Sequence, residues 1–304
     1  MEQAIHTNGK VLLTSEYAVL DGALALGLPL RRGQWLRVRT APQAAHHSWQ
    51  SRLADGTTWF EGKFAAGGML LQANDLQTGK RLETLFQGIE KQRPGFWSNQ
   101  PYLNFETQLE FPREWGLGSS STLIAGIARW AGIDPFQLLE DTFGGSGYDI
   151  ACANSQHPVL FQRRQGQPSY VEVPYVPVFA DHICFAFLGH KQDSRAGIAR
   201  YRSRGSGTEK LRDRLSELTL LFLQARTATE ATLVLEEHEA LLSKTLGLPT
   251  VKEKHFPNFP GVVKSLGAWG GDFVMAISGK PAQAVQQYFK VKGFETVFGY
   301  REFV

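Results

Sequence analysis

The sequence predicts an α+β fold organised in two lobes. Its 304 residues are enough for two lobes or one large domain. Alternating apolar patterns typical of strands occur in both halves of the chain, with helical patterns between them. No internal repeat or low-complexity linker interrupts these patterns, and we place the lobe boundary near residue 178. The prediction is therefore an N-terminal lobe over 1–178 and a C-terminal lobe over 179–304.

Composition narrows the class of protein. With 42% hydrophobic and 20% charged residues, the chain can bury a substantial core. The net charge of +3 comes without a basic block, which argues against nucleic acid as a partner and suits a small anionic ligand. Cys152 and Cys184 lack metal-site spacing, so we expect buried thiols in a reducing compartment. Without a secretory or membrane-spanning run, we expect a soluble, cytoplasmic protein with no membrane partner, whose oligomeric state stays open, a homodimer being one option.

The first half of the chain combines strands with one amphipathic helix. Alternation and turn residues predict strands over 10–20, 35–40, both arms of a hairpin across Asp55-Gly56, and 102–111. A helix is predicted over 80–92, because its apolar residues share one face. We interpret the adjacent His46 and His47 as surface residues rather than as ligands of one metal.

A glycine-serine loop and two helices follow. The first helix is predicted over 119–131, with Gly132 at its C-terminal end. Asp134 is the expected N-cap of the second helix, which begins with Pro135 and reaches Thr142.

The second half begins with another hairpin and continues with helices and central strands. Beyond the hairpin over 159–173, the patterns predict a strand over 182–189, two or three helices within 194–246, a strand over 273–278, a helix from Pro281 to Gly293 and a last strand over 295–304.

The loop "GLGSSS" (116–121) is the strongest functional signal. The first amides of a helix lack internal partners and lie at the positive end of its dipole, so a bare loop there can bind phosphate. Serine hydroxyls add donors or a metal ligand. The alternative is an ordinary N-cap formed by Ser119 or Ser120 after a glycine turn. The loop is neither a Walker A motif nor a GxGxxG motif.

Three further features carry weaker signals. Asp149 stands among small residues in "GGSGYDIACA" (144–153), where it could orient or deprotonate a hydroxyl or simply cap a turn. The glycine loop "SLGAWGGDF" (265–273) could bring backbone close to a ligand, although a strand-entry turn has the same composition. Lys10 at a strand start would by itself be a solvated charge.

The order of these motifs resembles the GHMP kinases, the superfamily of galactokinase, homoserine, mevalonate and phosphomevalonate kinases. The resemblance covers residues 9 to about 278 and rests on "GKVLLTSEYAVLDG", "GLGSSS", "GSGYDIA" and "SLGAWGGD". The segments "EYAVLDG", "GSGYD" and "GGD" are similar to the phosphomevalonate branch. The resemblance implies a mixed-sheet N-terminal ATP-binding lobe with a left-handed crossover and a ferredoxin-like C-terminal lobe.

The resemblance also implies the site residues. Lys10 and Asp149 match the catalytic pair, which we expect to lie within about 4 Å of each other. ATP would be bound by Gly116, Leu117, Gly118, Ser119, Ser120 and Ser121. Mg²⁺ would take Ser120 and Glu140, with Asp141 as the second candidate carboxylate. Substrate contacts would come from Glu16, Tyr17, Ser146, Gly147, Lys191, Ser194, Arg195, Gly267 and Ala268.

The implied activity is ATP-dependent transfer of the γ-phosphoryl group to phosphomevalonate or mevalonate, within isoprenoid biosynthesis. Alternatives are a sugar or amino-alcohol kinase, a diphosphomevalonate decarboxylase, and a non-catalytic ligand-binding relative. Lys10 argues against the decarboxylase, and the joint presence of Lys10, Ser120 and Asp149 argues against a non-catalytic protein. Three departures from the family pattern bear on substrate and nucleotide fit: Ser15 in place of glycine, Ser121 and Thr122 in place of small alanines, and the large ring of Trp269.

Overall fold

A computed structural model describes residues 2–190, 194–204 and 208–304. The chain forms two compact units that interleave along the sequence. Unit 1 comprises residues 1–9, 32–113 and 117–154, and unit 2 comprises residues 10–31, 114–116 and 155–304. The predicted boundary at 178 falls within unit 2, and the two-lobe division by sequence stays a prediction.

Unit 1 is built on a mixed sheet. The first six strands are β1 (Glu2–Leu12), β2 (Ala25–Thr40), β3 (His47–Arg52), β4 (Thr58–Phe64), β5 (Leu70–Ala73) and β6 (Leu103–Leu109). Their order is β5-β4-β3-β6-β2, with β1 beside β2, and residues 34–40 of β2 pair with β6. The β3–β6 pair is parallel, whereas β3–β4, β4–β5 and β2–β6 are antiparallel.

Four helices cover this sheet: α1 (Leu76–Gln92), α2 (Ser119–Ala131), α3 (Pro135–Thr142) and α4 (Tyr148–Asn154). The apolar face predicted for α1 is buried, and it packs with alternate residues of the strands. The largest members of this core are Trp49, Phe60, Phe64, Phe86 and Phe105. Burying an aromatic or aliphatic side chain of this size contributes about 1.5–3 kcal/mol, so this cluster fixes the sheet against the helices.

Unit 2 contains a hairpin and a second sheet. The hairpin consists of β7 (Val159–Arg164) and β8 (Gln167–Glu172), which pair with each other. Strand β7 also pairs with residues 25–27 of β2. The second sheet has the antiparallel order β10-β11-β9-β12. Its strands are β9 (Ile183–Phe187), β10 (Gly261–Leu266), β11 (Phe273–Ser278) and β12 (Val297–Gly299).

The helices of unit 2 are α5 (Ser194–Ser203), α6 (Glu209–Gln224), α7 (Ala228–Leu246), α8 (Val251–His255), α9 (Ala282–Val291) and α10 (Tyr300–Phe303). Helix α7 packs on β10 and β11. Both middle strands, β9 and β11, are almost continuously apolar and buried, as expected for strands covered on both faces. In the described part of the chain, no helix has the length and apolar character needed to cross a bilayer.

The structure confirms the α+β class and most predicted elements. Helices α2 and α3 have the predicted bounds, and Gly132 ends α2 in the left-handed conformation with φ 65°. The predicted strand over 295–304 is wrong beyond Gly299. There the Glu302 carboxylate accepts a hydrogen bond from the Gly299 amide at 2.7 Å, which starts the short helix α10.

The surface assignment of His47 is also wrong. Its side chain is buried, and Nδ1 accepts a hydrogen bond from the Leu103 amide at 2.9 Å. Burial lowers the pKa of this imidazole. His47 therefore bridges two strands of the sheet as a neutral structural residue.

Candidate functional site

In unit 1, a glycine opens helix α2. Gly118 occupies the N-cap position with φ 97°, and no side chain caps the helix. The Ser121 hydroxyl donates to the Gly118 carbonyl at 2.9 Å, and the Thr122 hydroxyl donates to Gln34 Oε1 at 2.6 Å. These two hydroxyls thus hold the first turn of the helix in place. The alternative of an N-cap by Ser119 or Ser120 is wrong.

Two serines at the start of the helix reach solvent. Ser119 is half-buried and Ser120 is exposed. The first bond of the helix runs from the Thr122 amide to the Gly118 carbonyl at 2.9 Å. Across the residues that the structure describes, the amides of 119–121 and the hydroxyls of Ser119 and Ser120 have no hydrogen-bond acceptor. This set of convergent donors at the positive end of a helix dipole fits a phosphate group.

Asp149 lies in unit 1 on the first turn of α4, which packs against α2. The turn before it needs three glycines in the left-handed region: Gly144, Gly145 and Gly147, with φ of 68°, 126° and 95°. A residue with a Cβ would be strained at each of them. Asp149 is half-buried and Ser146 is buried, and the Ser146 oxygen accepts a long hydrogen bond from the Tyr148 amide at 3.5 Å.

Oxygen ligands suited to Mg²⁺ are present in unit 1. Asp141 is already held by Lys91 at 2.7 Å, and this hydrogen bond lowers the pKa of its carboxyl group. Glu140 is exposed, and its side chain makes no hydrogen bond or ion pair within the described ranges. No group of three metal-ligating side chains occurs among the described residues. Mg²⁺ commonly takes one or two protein oxygens and completes its shell with phosphates and water. The assignment of Ser120 and Glu140 to such an ion stays a prediction.

Unit 2 gathers a cation and a carboxylate at the first glycine of the loop. The Lys10 ammonium donates to the Gly116 carbonyl at 3.2 Å. Gly116 has φ 69°, and a Cβ on it would overlap the Asp272 carboxylate. Asp272 also lies near Gly267, where a Cβ would be 4.0 Å from Oδ2. Sequence reasoning missed Asp272 as a candidate site residue, although "GGD" was the signal for it.

Tyr17 and the third glycine loop, residues 265–273, are joined directly. The Tyr17 hydroxyl accepts a hydrogen bond from the Trp269 amide at 2.6 Å, and the Trp269 indole donates to the Pro249 carbonyl at 3.1 Å. The Tyr17 ring stacks on Tyr201 with centroids 5.8 Å apart. Burial raises the pKa of Tyr17 to about 12, so its hydroxyl stays protonated at neutral pH. Trp269 therefore anchors its loop at two points.

Glu16, predicted as a substrate contact, is only 3% exposed. Its Oε1 lies 2.6 Å from the Lys264 ammonium, which also lies 3.2 Å from Glu239 Oε1. Sequence analysis gave no sign of Lys264, Glu239 or His238, because their proximity is created by packing of α7 on β10.

The remaining predicted substrate residues are scattered along unit 2. Gly267 has φ 75° and Ala268 is buried in the third glycine loop. Arg195 is exposed on the first turn of α5, which begins at Ser194. Lys191 lies outside the described residues.

Comparisons with known proteins agree with this architecture. No family model and no curated protein sequence matches the chain. Among solved structures, Streptococcus pneumoniae phosphomevalonate kinase in complex with phosphomevalonate and AMPPNP has a TM-score of 0.72 at 17% identity, covering 98% of this chain and 99% of the other. Methanococcus jannaschii mevalonate kinase has a TM-score of 0.68 at 12% identity, covering 98% and 97%. Lactococcus lactis galactokinase complexed with galactose has 0.68 at 13% identity, covering 98% and 92%.

Proposed function

We propose that this chain, which has the fold of the GHMP kinases, is an ATP-dependent small-molecule kinase. The observation that carries the proposal is the open entry of α2, where unpaired amides and hydroxyls meet at a helix N-terminus. Phosphoryl transfer asks the protein mainly to position groups and to stabilise charge, which such donors do well. The likeness of the fold to solved kinases, over nearly the whole chain, supports the same activity.

The loop 116–121 would bind the β- and γ-phosphates of ATP through its amides and hydroxyls. Ser120 and Glu140 would hold Mg²⁺, which when bound neutralises charge on those phosphates. Bracing of the turn by Ser121 and Thr122 keeps the donors fixed before the nucleotide arrives.

Asp149 and Lys10 would carry the transfer itself. The acceptor oxygen forms a bond to the γ-phosphorus while the bond to the β–γ bridging oxygen breaks, and ADP leaves. Asp149 would orient the acceptor and take its proton where the acceptor is a hydroxyl. Lys10 would stabilise the negative charge that develops on the transferring group and would keep Asp149 ionised.

The acceptor we propose is a mevalonate-pathway acid, with phosphomevalonate preferred over mevalonate. The "EYAVLDG", "GSGYD" and "GGD" segments support this choice. Ser146, Gly147, Gly267 and Ala268 would approach the acceptor closely, because small residues and backbone permit it. Lys191, Ser194 and Arg195 would meet its carboxylate or phosphate.

A coupled ADP-release screen over mevalonate, phosphomevalonate, homoserine and sugars tests the function. We expect turnover with one pathway acid and loss of turnover when EDTA removes Mg²⁺. Turnover only with a sugar or amino-alcohol would favour the second candidate, which the likeness to galactokinase supports. No turnover with any acceptor would reject the kinase proposal.

Arg195→Ala tests the acceptor clamp. We expect the KM for phosphomevalonate to rise about tenfold, as loss of a charge-assisted bond to phosphate predicts. The KM for ATP should stay constant, and Arg226→Ala, which removes an arginine on the loop before α7, serves as the control. An unchanged acceptor KM for every accepted substrate would show that the clamp role is wrong.

A further inference from the structure

Four buried polar side chains of unit 2 have no place in the proposed chemistry. Lys264 on β10 lies between Glu16 and Glu239, with Nζ–Oε1 distances of 2.6 and 3.2 Å. His238 of α7 lies with Nε2 3.7 Å from Glu16 Oε2. None of the four is more than 3% exposed. We call these residues, Glu16, Lys264, Glu239 and His238, the buried clasp.

The clasp holds one ammonium against two carboxyl groups. Burial alone would lower the pKa of Lys264, but Glu16 and Glu239 outweigh it and raise that pKa, so the lysine is charged. Burial raises the pKa of both carboxyl groups, that of Glu16 to about 7. His238 is neutral, because burial lowers its pKa well below the usual value and its Nε2 accepts a hydrogen bond from the Ser15 amide at 2.8 Å. Lys264 thus has a second carboxylate partner besides Glu16, with Glu239 Oε1 at 3.2 Å from its ammonium.

The backbone that bears Glu16 is strained on both sides. Ser15 has φ 63° and Tyr17 has φ 62°, a region that residues with a side chain seldom adopt. Such a conformation persists only where its surroundings fix it. Ser15 is fixed by its amide on His238 and by its hydroxyl, which donates to the Leu24 carbonyl at 2.7 Å. Glu16 is fixed by Lys264.

The strained turn leads to the third glycine loop by two routes. Tyr17, next to Glu16, accepts the hydrogen bond from the Trp269 amide. Lys264 lies on β10, which ends at Leu266 and so includes the first two residues of that loop. The clasp thus joins the turn at residues 15–17 to the strand that enters the loop.

We propose that Glu16 is a positioning residue, which with Lys264 holds the 15–17 turn so that Tyr17 supports the third glycine loop. The proposal rests on the proposed function only in taking this loop to contact the acceptor. Glu16 itself does not touch substrate. A hydrogen-bonding side chain of the same shape is sufficient at this position, since Glu239 supplies the countercharge for Lys264.

The experiment compares Glu16→Gln, Glu16→Leu and Tyr17→Phe, with Glu236→Gln as a matched control on the partly exposed pair of α7. Hydrogen exchange at the Trp269 amide is measured by NMR on the free protein. We expect about tenfold faster exchange in Tyr17→Phe and Glu16→Leu, as loss of one partly buried hydrogen bond predicts. Glu16→Gln should keep the wild-type rate, because its amide oxygen still accepts from Lys264.

Kinetics with the acceptor found in the screen gives the second readout. We expect Glu16→Leu to raise the acceptor KM about tenfold, with Glu16→Gln within about threefold of wild type. Equal loss in Glu16→Gln and Glu16→Leu with unchanged Trp269 exchange would overturn the proposal in favour of direct substrate contact. Normal kinetics in Glu16→Leu, with only the melting temperature lowered, would overturn it in favour of a purely structural role.

Two safeguards keep the test decisive. Should Glu16→Leu not fold, Glu16→Gln and Tyr17→Phe still decide it, since tenfold loss of acceptor affinity in Glu16→Gln contradicts the clasp. Should the wild type turn over no acceptor, the proposed function fails, whereas Trp269 exchange still tests the clasp because it needs no substrate.

Discussion

The α2 entry at residues 117–122 and the turn at residues 15–17 are both polar, irregular and built on positive φ angles, yet they treat their polar groups in opposite ways. At the α2 entry the amides of 119–121 have no acceptor among the described residues. In the turn, Ser15, Glu16 and Tyr17 are each bound to a partner from elsewhere in unit 2. Donors without an acceptor are available to a ligand, whereas the bonded groups of the turn hold the backbone. Variants of the proposed site should therefore lose activity, and variants of the clasp should lose stability.

Asp149→Asn should have the largest effect, and it should be kinetic. The amide keeps the shape of the side chain but removes its charge and its capacity as a base, so kcat should fall by about 10²–10⁴. ATP affinity and melting temperature should change little, as measured by calorimetry. Asp55→Asn, at the exposed turn between β3 and β4, is the control and should keep its kcat.

Lys10→Met extends that prediction. It should lower kcat by a comparable factor, and the double variant should lose little more than either single one, because two residues that act as a unit are not additive. A near-normal kcat in Asp149→Asn, or fully additive losses, would break the proposed pairing of Lys10 with Asp149.

Lys264→Met should cause the largest loss in the free energy of unfolding. It leaves Glu16 and Glu239 buried without their countercharge, and breaking such a pair costs about 3–5 kcal/mol. Urea unfolding measures the loss. Lys252→Met removes a partly exposed pair with Glu236 and should cost at most about 1 kcal/mol. Equal losses in the two variants would contradict the expected cost of leaving Glu16 and Glu239 buried without a countercharge.

Gly116→Ala should affect both properties at a smaller scale. The methyl group would overlap the Asp272 carboxylate, and φ 69° is unfavourable for alanine, so unfolding free energy should fall by about 1–3 kcal/mol. ATP affinity should fall with it, because Gly116 begins the loop. Gly56→Ala, at a left-handed turn with open space around it, isolates the backbone contribution.

The smallest effect is a pH dependence of the clasp. Glu16 has a folded pKa of about 7, above its ordinary value of 4.5, so the folded state binds the extra proton and loses stability as pH rises between these values. The titratable groups around it are Lys264 on β10 and Glu239 and His238 on α7. Glu16→Gln removes this loss. Its melting temperature relative to wild type should therefore rise by about 2–5 °C from pH 5 to pH 8 in scanning calorimetry. A difference that stays constant or falls would contradict the raised pKa.

Local patterns predicted the elements well, because caps and periodicity are written in neighbouring residues. Asp134 and Pro135 begin α3, and Gly132 ends α2, as expected. The glycine-serine loop before α2 was equally predictable, because its signal also lies in neighbouring residues. The prediction of the last strand was wrong beyond Gly299, because Glu302 accepts a hydrogen bond from the Gly299 amide and apolar alternation does not reveal this turn.

The site was less predictable where it depends on packing across long separations. Lys264 follows Glu16 by 248 positions and reads from sequence as an ordinary strand residue. Asp272 meets Gly116 only because the third glycine loop folds back on it. Ser15 has a positive φ, which favours glycine, and the bond from its amide to His238 holds serine in that conformation.

The interleaving of the units has a consequence for how the chain folds. The chain passes between the units after residues 9, 31, 113, 116 and 154, so neither unit is a continuous segment. A ribosome must release residue 154 before unit 1 has all its parts, and residues 10–31 are made well before the bulk of unit 2, residues 155–304. Contacts of such long separation are slow to form and leave apolar segments exposed meanwhile. The protein should therefore depend on chaperones during synthesis more than a two-lobed chain with consecutive lobes.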